Sequence, residues 1–193
     1  MSIEIILWDF GDTLVDQRWM LKELPGFSGW PKLFRDEIWE GELGNQWSRG
    51  NINGLQVARQ LATSLSAGAE LAMQHMPQCS RNIDFFPVLH QFSLAQEMPQ
   101  AIVTVNPDIF TDVIVPHYEL TKLFDPIVAS WQERQLNKAD LCDITLERLN
   151  IKRSSALLID NMKVNTDEWV ERGGKGYWYR GESSFINDIT VIL

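Results

Sequence analysis

The stretch that decides the fold runs from Ile3 to Leu14 and reads IEIILWDFGDTL. Its first part is a short apolar run, which is typical of a buried β-strand. The run ends abruptly at Asp9, and a glycine, a second acid and a threonine follow closely. Because ligands bind at the carboxyl ends of strands in an open α/β sheet, an acid at this point is placed for chemistry. A solvated turn after an ordinary strand is the alternative interpretation.

Composition and charge limit the class of protein. The chain has 193 residues, 45% of them hydrophobic, so we expect one core domain with a modest insertion and little disorder. The formal net charge of −9 argues against nonspecific nucleic-acid binding and against docking on an anionic membrane. Cys79 and Cys142 fit neither a metal-ligand spacing nor a disulfide framework, which favours a cytoplasmic location. The sequence shows no signal-peptide pattern, and its apolar runs are shorter than the ~18 residues of a membrane span.

The pattern after the first strand divides into a helical segment and a series of strand–helix units. Glycines and prolines punctuate the first segment, where we expect helices at 30–39, 55–65 and 69–76, the last ending before Pro77. The remainder alternates strands and helices, which predicts a parallel sheet with helices on both faces. The predicted strands are 3–9, 101–105, 127–129, 156–159 and 177–179, with 191–193 as a candidate last strand. The predicted helices are 85–97, 107–115, 138–149 and 164–172.

Four chemically useful side chains fall at predicted strand ends or helix starts. They are Asp9, Thr104, Lys138 and Asp160. Because the strands of a parallel sheet all point the same way, two carboxylates, a hydroxyl and an ammonium group would meet at one edge. Each residue alone has an ordinary explanation, since threonines pack in cores, lysines are usually solvated and an aspartate before a helix caps it. All four residues would occur in this order by chance less often than any one of them alone.

At these four places the chain resembles the haloacid dehalogenase-like hydrolases. The matching segments are 8–15 (WDFGDTLV), 101–104 (AIVT), 137–140 (NKAD) and 157–161 (LLIDN). The resemblance extends from residue 3 to about residue 180. It implies an α/β fold with a Rossmann-like core at 1–14 and 82–193 and a small α-helical cap domain at 15–81.

The resemblance also implies a Mg²⁺-dependent phosphatase of a small phosphorylated metabolite. Asp9 would be the nucleophile that forms an aspartyl-phosphate, and Asp9, Asp160 and the backbone carbonyl of Gly11 would hold the metal. Thr104 and Lys138 would stabilise the transferring phosphoryl group and bind the substrate. We expect no nucleic-acid or membrane partner, and a monomer or a homodimer.

The chain departs from the family pattern at Gly11. Phosphatases of this family usually have an aspartate there that protonates the leaving group, whereas here the acid is displaced to Asp12. Asp12 is a candidate general acid, but neighbouring residues point in opposite directions and its alternative role is that of a turn residue. Loss of general acid–base help costs about 10²–10⁴-fold in rate, so a catalytically weakened binding or regulatory protein is the alternative function. Dehalogenases typically have an aromatic residue in this place, so we do not expect carbon–halogen cleavage.

Amides stand at three further positions of the predicted site. Asn106 follows Thr104 one place later than in many relatives, and we expect it to bind substrate. Asn161 and Asn165 occupy positions where relatives often have acids. Fewer carboxylates around a cation predict a weaker Mg²⁺ affinity.

The helical segment is rich in aromatic residues. They are Trp19, Phe27, Trp30, Phe34, Trp39 and Trp47. The favoured interpretation is a small core within the cap. The alternative is a pocket for an apolar or planar leaving group.

Overall fold

The protein is described from a computed structural model that covers residues 2–65 and 69–192. Its strands are β1 (Ile5–Trp8), β2 (Gln100–Thr104), β3 (Ile127–Ala129), β4 (Ala156–Asp160) and β5 (Lys175–Trp178). They form one parallel sheet in the order β3-β2-β1-β4-β5. Because β1 is central, its carboxyl end lies between those of β2 and β4.

The central strand is apolar throughout because both of its faces are covered. Ile6 and Trp8 pack into one hydrophobic cluster, and Ile5 and Leu7 pack into a second cluster on the other face. Continuous hydrophobic runs of this kind are expected where helices lie on both sides of a parallel sheet. The predicted α/β fold with helices on both faces is confirmed.

A helical segment joins β1 to β2. After a 3₁₀ helix at Gln17–Leu21 come α1 (Trp30–Phe34), α2 (Glu42–Ser48), α3 (Gly54–Leu65) and α4 (Ala69–Ser80). A π-helical turn at Arg35–Trp39 prolongs α1. The segment packs against the sheet, because buried Trp30 and Trp47 belong to the same cluster as Trp8. The helices expected at 30–39 and 55–65 are present, and a cap domain with boundaries at 15 and 81 stays a prediction.

The first of the remaining helices precedes β2, and the others come after β2 and the later strands. They are α5 (Pro87–Ala95), α6 (Val115–His117) with a preceding π-helical turn at Phe110–Ile114, α7 (Ser130–Glu133), α8 (Lys138–Leu149), α9 (Lys163–Glu171) and α10 (Glu182–Ile192). The predicted helix at 85–97 is shorter in the structure, because Phe85 pairs with Val15 in a short antiparallel bridge. Over the described residues, no helix is long and apolar enough to cross a membrane.

Two of the predictions are wrong, namely the end of one helix and the type of the last element. The helix expected to stop before Pro77 continues to Ser80, although a proline inside a helix lacks the N–H and crowds the carbonyl four residues earlier. The hydroxyl of Ser80 also donates to the Met76 carbonyl at 3.0 Å, which supports the last turn. The candidate strand at 191–193 is helical through Ile192, and residue 193 lies outside the described residues.

The reason for the C-terminal helix is the spacing of its apolar residues. Phe185 and Ile189 are four positions apart and both are buried in the cluster on one face of the sheet. Residues at this spacing lie on the same face of a helix. The three-residue apolar run at the end of the chain was too short to reveal this period.

Candidate active site

Asp9 lies at the carboxyl edge of the sheet, directly after β1. Its backbone N–H donates to the Ile159 carbonyl at 2.9 Å, so pairing with β4 continues for one residue and fixes its position. The side chain lines a cavity of about 170 Å³, which Gly11, Thr104 and Lys138 also line. The predicted convergence of strand ends therefore produces a concave site.

Lys138 connects the two carboxylates. Its Nζ lies 2.5 Å from Asp9 Oδ1 and 3.4 Å from Asp160 Oδ2, and it donates to the Val103 carbonyl at 2.8 Å. The lysine is held there because α8 begins at this residue, with Asn137 as its cap. The Asn137 side chain accepts from the backbone N–H at position 140 at 2.9 Å, which satisfies one open donor of the first turn.

The electrostatics of the site follow from two buried acids sharing one base. Burial raises the pKa of Asp9 to about 6, because the Lys138 ammonium offsets only part of the cost and the Asp160 carboxylate adds to it. Burial by itself would lower the pKa of Lys138, but the two carboxylates outweigh it and hold this pKa above its usual range. With the three groups ionised, the cluster carries one uncompensated negative charge.

Asp160 ends β4 and is fully buried. Its Oδ1 accepts from the Met162 backbone N–H at 2.7 Å, and its Oδ2 accepts from Asn165 Nδ2 at 2.9 Å. The amide at 165, which stands where relatives often have an acid, thus orients the carboxylate rather than repelling it. Asn161 lines the cavity beside it.

Two hydroxyls flank the Asp9 carboxylate. Thr104 Oγ1 lies 3.5 Å from Asp9 Oδ1 and accepts from Asn106 Nδ2 at 2.7 Å, so the predicted Thr104–Asn106 pair is at the site. Thr13 Oγ1 lies 3.4 Å from Asp9 Oδ2 and accepts from the Asn161 backbone N–H at 3.1 Å. Sequence reasoning gave Thr13 no role, although its place four residues after Asp9 was a usable signal.

Asp12 does not join this group. It adopts a left-handed backbone conformation with φ of 54°, and its Oδ1 accepts from the Gln17 backbone N–H at 3.1 Å. Asp12 is absent from the described residues that line the cavity at Asp9. The geometry is that of a turn residue, so the structure brings together Asp9, Thr104 and Lys138 but not the candidate acid.

Gln17 occupies the space beside Gly11. A Cβ built on Gly11 would lie 3.3 Å from Gln17 Cβ and 3.4 Å from Gln17 Oε1. A carboxamide therefore stands next to the position where phosphatases of the resembled family usually have an aspartate. Sequence reasoning missed Gln17, because an irregular turn separates it from the motif and no spacing rule connects the two.

The donor set fits a hard divalent cation. Asp9 and Asp160 lie within ion-pair distance of the same ammonium group, and the Gly11 backbone lines the same cavity. Two carboxylates and a carbonyl, completed by water, are ligands that Mg²⁺ uses, and a cation would offset the uncompensated charge. Within 2–65 and 69–192, no three His, Cys, Asp or Glu residues form a cluster suited to a metal. Any cation here would therefore depend on these few oxygens and on water.

A second cavity, of about 220 Å³, adjoins the first beneath the helical segment. Gln17, Trp19, Val105 and Asn106 line both cavities. Four of the six aromatic residues noted above line the second one: Trp19, Phe34, Trp39 and Trp47. Because several of them are also buried in the hydrophobic core, the two interpretations of these aromatics do not exclude each other.

Comparison with known proteins identifies the fold. No family model matches the chain, and no curated protein matches its sequence. A solved structure described as a predicted HAD-like family hydrolase from Porphyromonas gingivalis matches with a TM-score of 0.76 at 15% identity, over 100% of this chain and 98% of its own. The protein has the fold of the haloacid dehalogenase-like hydrolases.

Two further structures share the haloacid dehalogenase-like fold. A HAD family enzyme from Bacteroides thetaiotaomicron in complex with magnesium and inorganic phosphate has a TM-score of 0.67 at 15% identity, over 91% of this chain and 93% of its own. The L-2-haloacid dehalogenase of Xanthobacter autotrophicus has a TM-score of 0.66 at 16% identity, over 98% of this chain and 83% of its own. At such identities the likeness establishes the fold, and function has to be argued from the site.

Proposed function

We propose that the protein is a Mg²⁺-dependent hydrolase of phosphate monoesters that acts through Asp9. The observation that carries this proposal is the buried Asp9 carboxylate at the end of β1, held by Lys138 and close to Asp160. The fold neighbour that binds magnesium and inorganic phosphate supports it. The substrate class at this level is a small phosphorylated molecule.

Asp9 is poised as a nucleophile. Its Oδ1 is held by Lys138, whereas Oδ2 has a longer contact of 3.4 Å with Thr13 and is held more loosely. With a pKa of about 6, the carboxylate is mostly ionised at neutral pH. Attack of Oδ2 on phosphorus forms an aspartyl-phosphate and breaks the bond to the leaving oxygen. Water then attacks the same phosphorus, which releases phosphate and restores the carboxylate.

Charge that develops on the phosphoryl oxygens meets donors already in place. Lys138 and the Thr104 hydroxyl border the space in front of Asp9, and Asn106 orients that hydroxyl. Preorganised donors of this kind stabilise a transition state without reorganisation. Asp9, Asp160 and the Gly11 carbonyl would hold Mg²⁺, which when bound offsets the repulsion between the anionic nucleophile and the phosphate.

The leaving group receives little acid catalysis in this arrangement. Asp12 accepts a backbone hydrogen bond within its turn, and Gln17 can donate a hydrogen bond but cannot transfer a proton at neutral pH. Weakly basic leaving groups would therefore react faster than strongly basic ones. We further propose that residues 15–81 act as the cap that encloses the leaving group, in a cytoplasmic monomer or homodimer.

The test is hydrolysis of an aryl phosphate with and without Mg²⁺. We expect activity that requires the metal and a loss of at least about a thousandfold in kcat for Asp9→Asn. Asp167→Asn is a matched control, because this half-exposed acid pairs with Lys163 on the surface. Activity that survives Asp9→Asn, or that ignores Mg²⁺, removes Asp9 from the mechanism.

A second candidate function rests on Gly11. Without an acid there, the site could bind a phosphorylated ligand and release it unchanged, as a binding or regulatory protein does. Saturable, Mg²⁺-dependent binding of inorganic phosphate with no turnover of the aryl phosphate would support this function over hydrolysis.

A further inference from the structure

The cavity beneath the helical segment lies where a leaving group would extend. It shares Gln17, Trp19, Val105 and Asn106 with the cavity that contains Asp9. A phosphate seated against Asp9, Thr104 and Lys138 would therefore direct the rest of the molecule past these shared residues. The residues that line the second cavity would then determine which leaving groups the site accepts.

That cavity carries no formal charge on any of the described residues that line it. An uncharged lining contrasts with the rest of the chain, which has 26 acidic residues and a net charge of −9. Most of the lining is apolar, including Trp39 and Ile38 from the helical segment and Leu136 from the loop before α8. A leaving group with a carboxylate, a second phosphate or an ammonium would enter without a counter-charge, which is costly.

The polar side chains of the lining are Gln17, Asn45, Ser48 and Asn106, and part of the hydrogen-bonding capacity of the lining is engaged. Trp47 Nε1 donates to Asp108 Oδ1 at 2.6 Å, and Asn106 Nδ2 donates to Thr104. Asn45 Nδ2 contacts Glu42 Oε2 at 3.4 Å. These side chains can hydrogen-bond a hydroxyl group of a leaving alcohol, whereas the apolar side chains, which are the larger number, would face its carbon skeleton.

The size fits one ring. A dry, apolar cavity of about 150 Å³ accommodates benzene, so the 220 Å³ here has room for a six-membered ring and a short linker. The rings of Trp39 and Phe34 meet edge to face at a centroid separation of 6.3 Å, and both line the cavity. Aromatic walls of this kind favour a planar apolar guest.

We infer that the substrate is the phosphate monoester of an uncharged alcohol that bears one aromatic ring. This inference rests on the proposed hydrolase function and specifies its substrate class. The helical segment selects the ring, and Asp9 and its partners act on the phosphate.

The experiment compares two esters whose leaving alcohols have similar basicity, 2-phenylethyl phosphate and glycerol 3-phosphate. We expect kcat/KM in the presence of Mg²⁺ to favour the phenylethyl ester by about ten- to a hundredfold, with most of the difference in KM. Equal values, or a preference for glycerol 3-phosphate, would overturn the inferred substrate class while leaving the hydrolase function intact.

A binding measurement separates this inference from the proposed function. The probes are 2-phenylethylphosphonate and ethylphosphonate with Mg²⁺, monitored by the fluorescence of the tryptophans that line the cavity. Tighter binding of the phenylethyl compound supports the aromatic pocket even if no ester is hydrolysed. Equal binding of the two phosphonates contradicts it, whatever the activity.

Variants test whether the preference for the phenylethyl ester comes from this cavity. Trp39→Ala removes one wall of the cavity at a position that is 41% exposed, so the variant is expected to fold. It should lower the ratio of kcat/KM for the two esters by about tenfold. Leu94→Ala is the control, since Leu94 is 60% exposed on α5 and lines neither cavity. A ratio that is unchanged in Trp39→Ala, or reduced as much in Leu94→Ala, would contradict the assignment.

Discussion

At the carboxyl edge of the sheet, Lys138 contacts both Asp9 and Asp160, whereas the adjoining cavity under the helical segment is uncharged over its described lining. The two regions lie side by side and share Gln17 and Trp19. Under the proposed function, the first region acts on the phosphate and the second selects an apolar group. The contrast suggests that reactivity and selectivity in this molecule depend on different kinds of residue and can be changed separately.

The largest expected effect concerns the charged edge. Lys138→Met removes the only base within ion-pair distance of Asp9 among the described residues and leaves two buried carboxylates facing each other. We expect the free energy of unfolding at neutral pH without Mg²⁺ to fall by about 3–5 kcal/mol, measured by urea denaturation. Lys163→Met, which breaks an exposed pair with Asp167, should cost at most about 1 kcal/mol.

A double variant shows whether this loss comes from the uncompensated charge. Asp9→Asn combined with Lys138→Met leaves Asp160 without a close carboxylate neighbour and should recover part of the lost stability. If the double variant is less stable than Lys138→Met by the full cost of Asp9→Asn alone, the groups are not coupled. The interaction between Lys138 and Asp9 would then contribute nothing measurable to the free energy of unfolding.

A smaller effect is expected where the helical segment is attached to the core. Asp108, after β2, accepts from Trp47 Nε1 at 2.6 Å and from the Gly54 backbone N–H at 2.9 Å, which joins two helices of the segment to the sheet. Trp47→Phe keeps a ring but removes one donor, so the free energy of unfolding should fall by about 1–3 kcal/mol. Trp39→Phe, at a half-exposed ring, should change it by less than about 0.5 kcal/mol. Equal effects of the two variants would mean that Asp108 does not anchor the segment.

The smallest expected effect concerns the cation. Asn161 lines the cavity beside Asp160, and Asn161→Asp adds a carboxylate there. We expect Mg²⁺ to bind several-fold more tightly, by about 1 kcal/mol, in a calorimetric titration, because added ligand charge favours a hard cation. Asn187→Asp, at an exposed position on α10, should leave the affinity unchanged. Identical affinities in Asn161→Asp and the unmodified chain would contradict the predicted role of the amide.

The charged edge was predictable from the sequence because topology does most of the positioning. Once β1, β2 and β4 are recognised as parallel strands, the residues at their carboxyl ends have to lie together, and Asp9, Thr104 and Asp160 do. Lys138 follows from the same argument, since the helix that starts there is capped by Asn137. The chemical role of each of these residues stays a proposal.

The region around the helical segment was less predictable because packing, rather than period, decides it. The approach of Gln17 to Gly11 depends on a turn in which Asp12 takes a left-handed conformation. No pattern in the sequence predicts that turn. The helix that passes through Pro77 is a second case, because the proline by itself predicted an end there. Sequence periodicity predicts where helices lie, but not which of their side chains share a cavity.

The contact between Gly11 and Gln17 restricts which substitutions position 11 can accept. An aspartate introduced at position 11 would press on the Gln17 side chain, with its first carbon only 3.3 Å from Gln17 Cβ. Only glycine at position 17 would remove that Cβ, because every other residue has one; a shorter side chain would clear just the second contact, at 3.4 Å from Gln17 Oε1. An acid at position 11 is thus coupled to position 17, and the effect of a substitution at one position depends on the residue at the other.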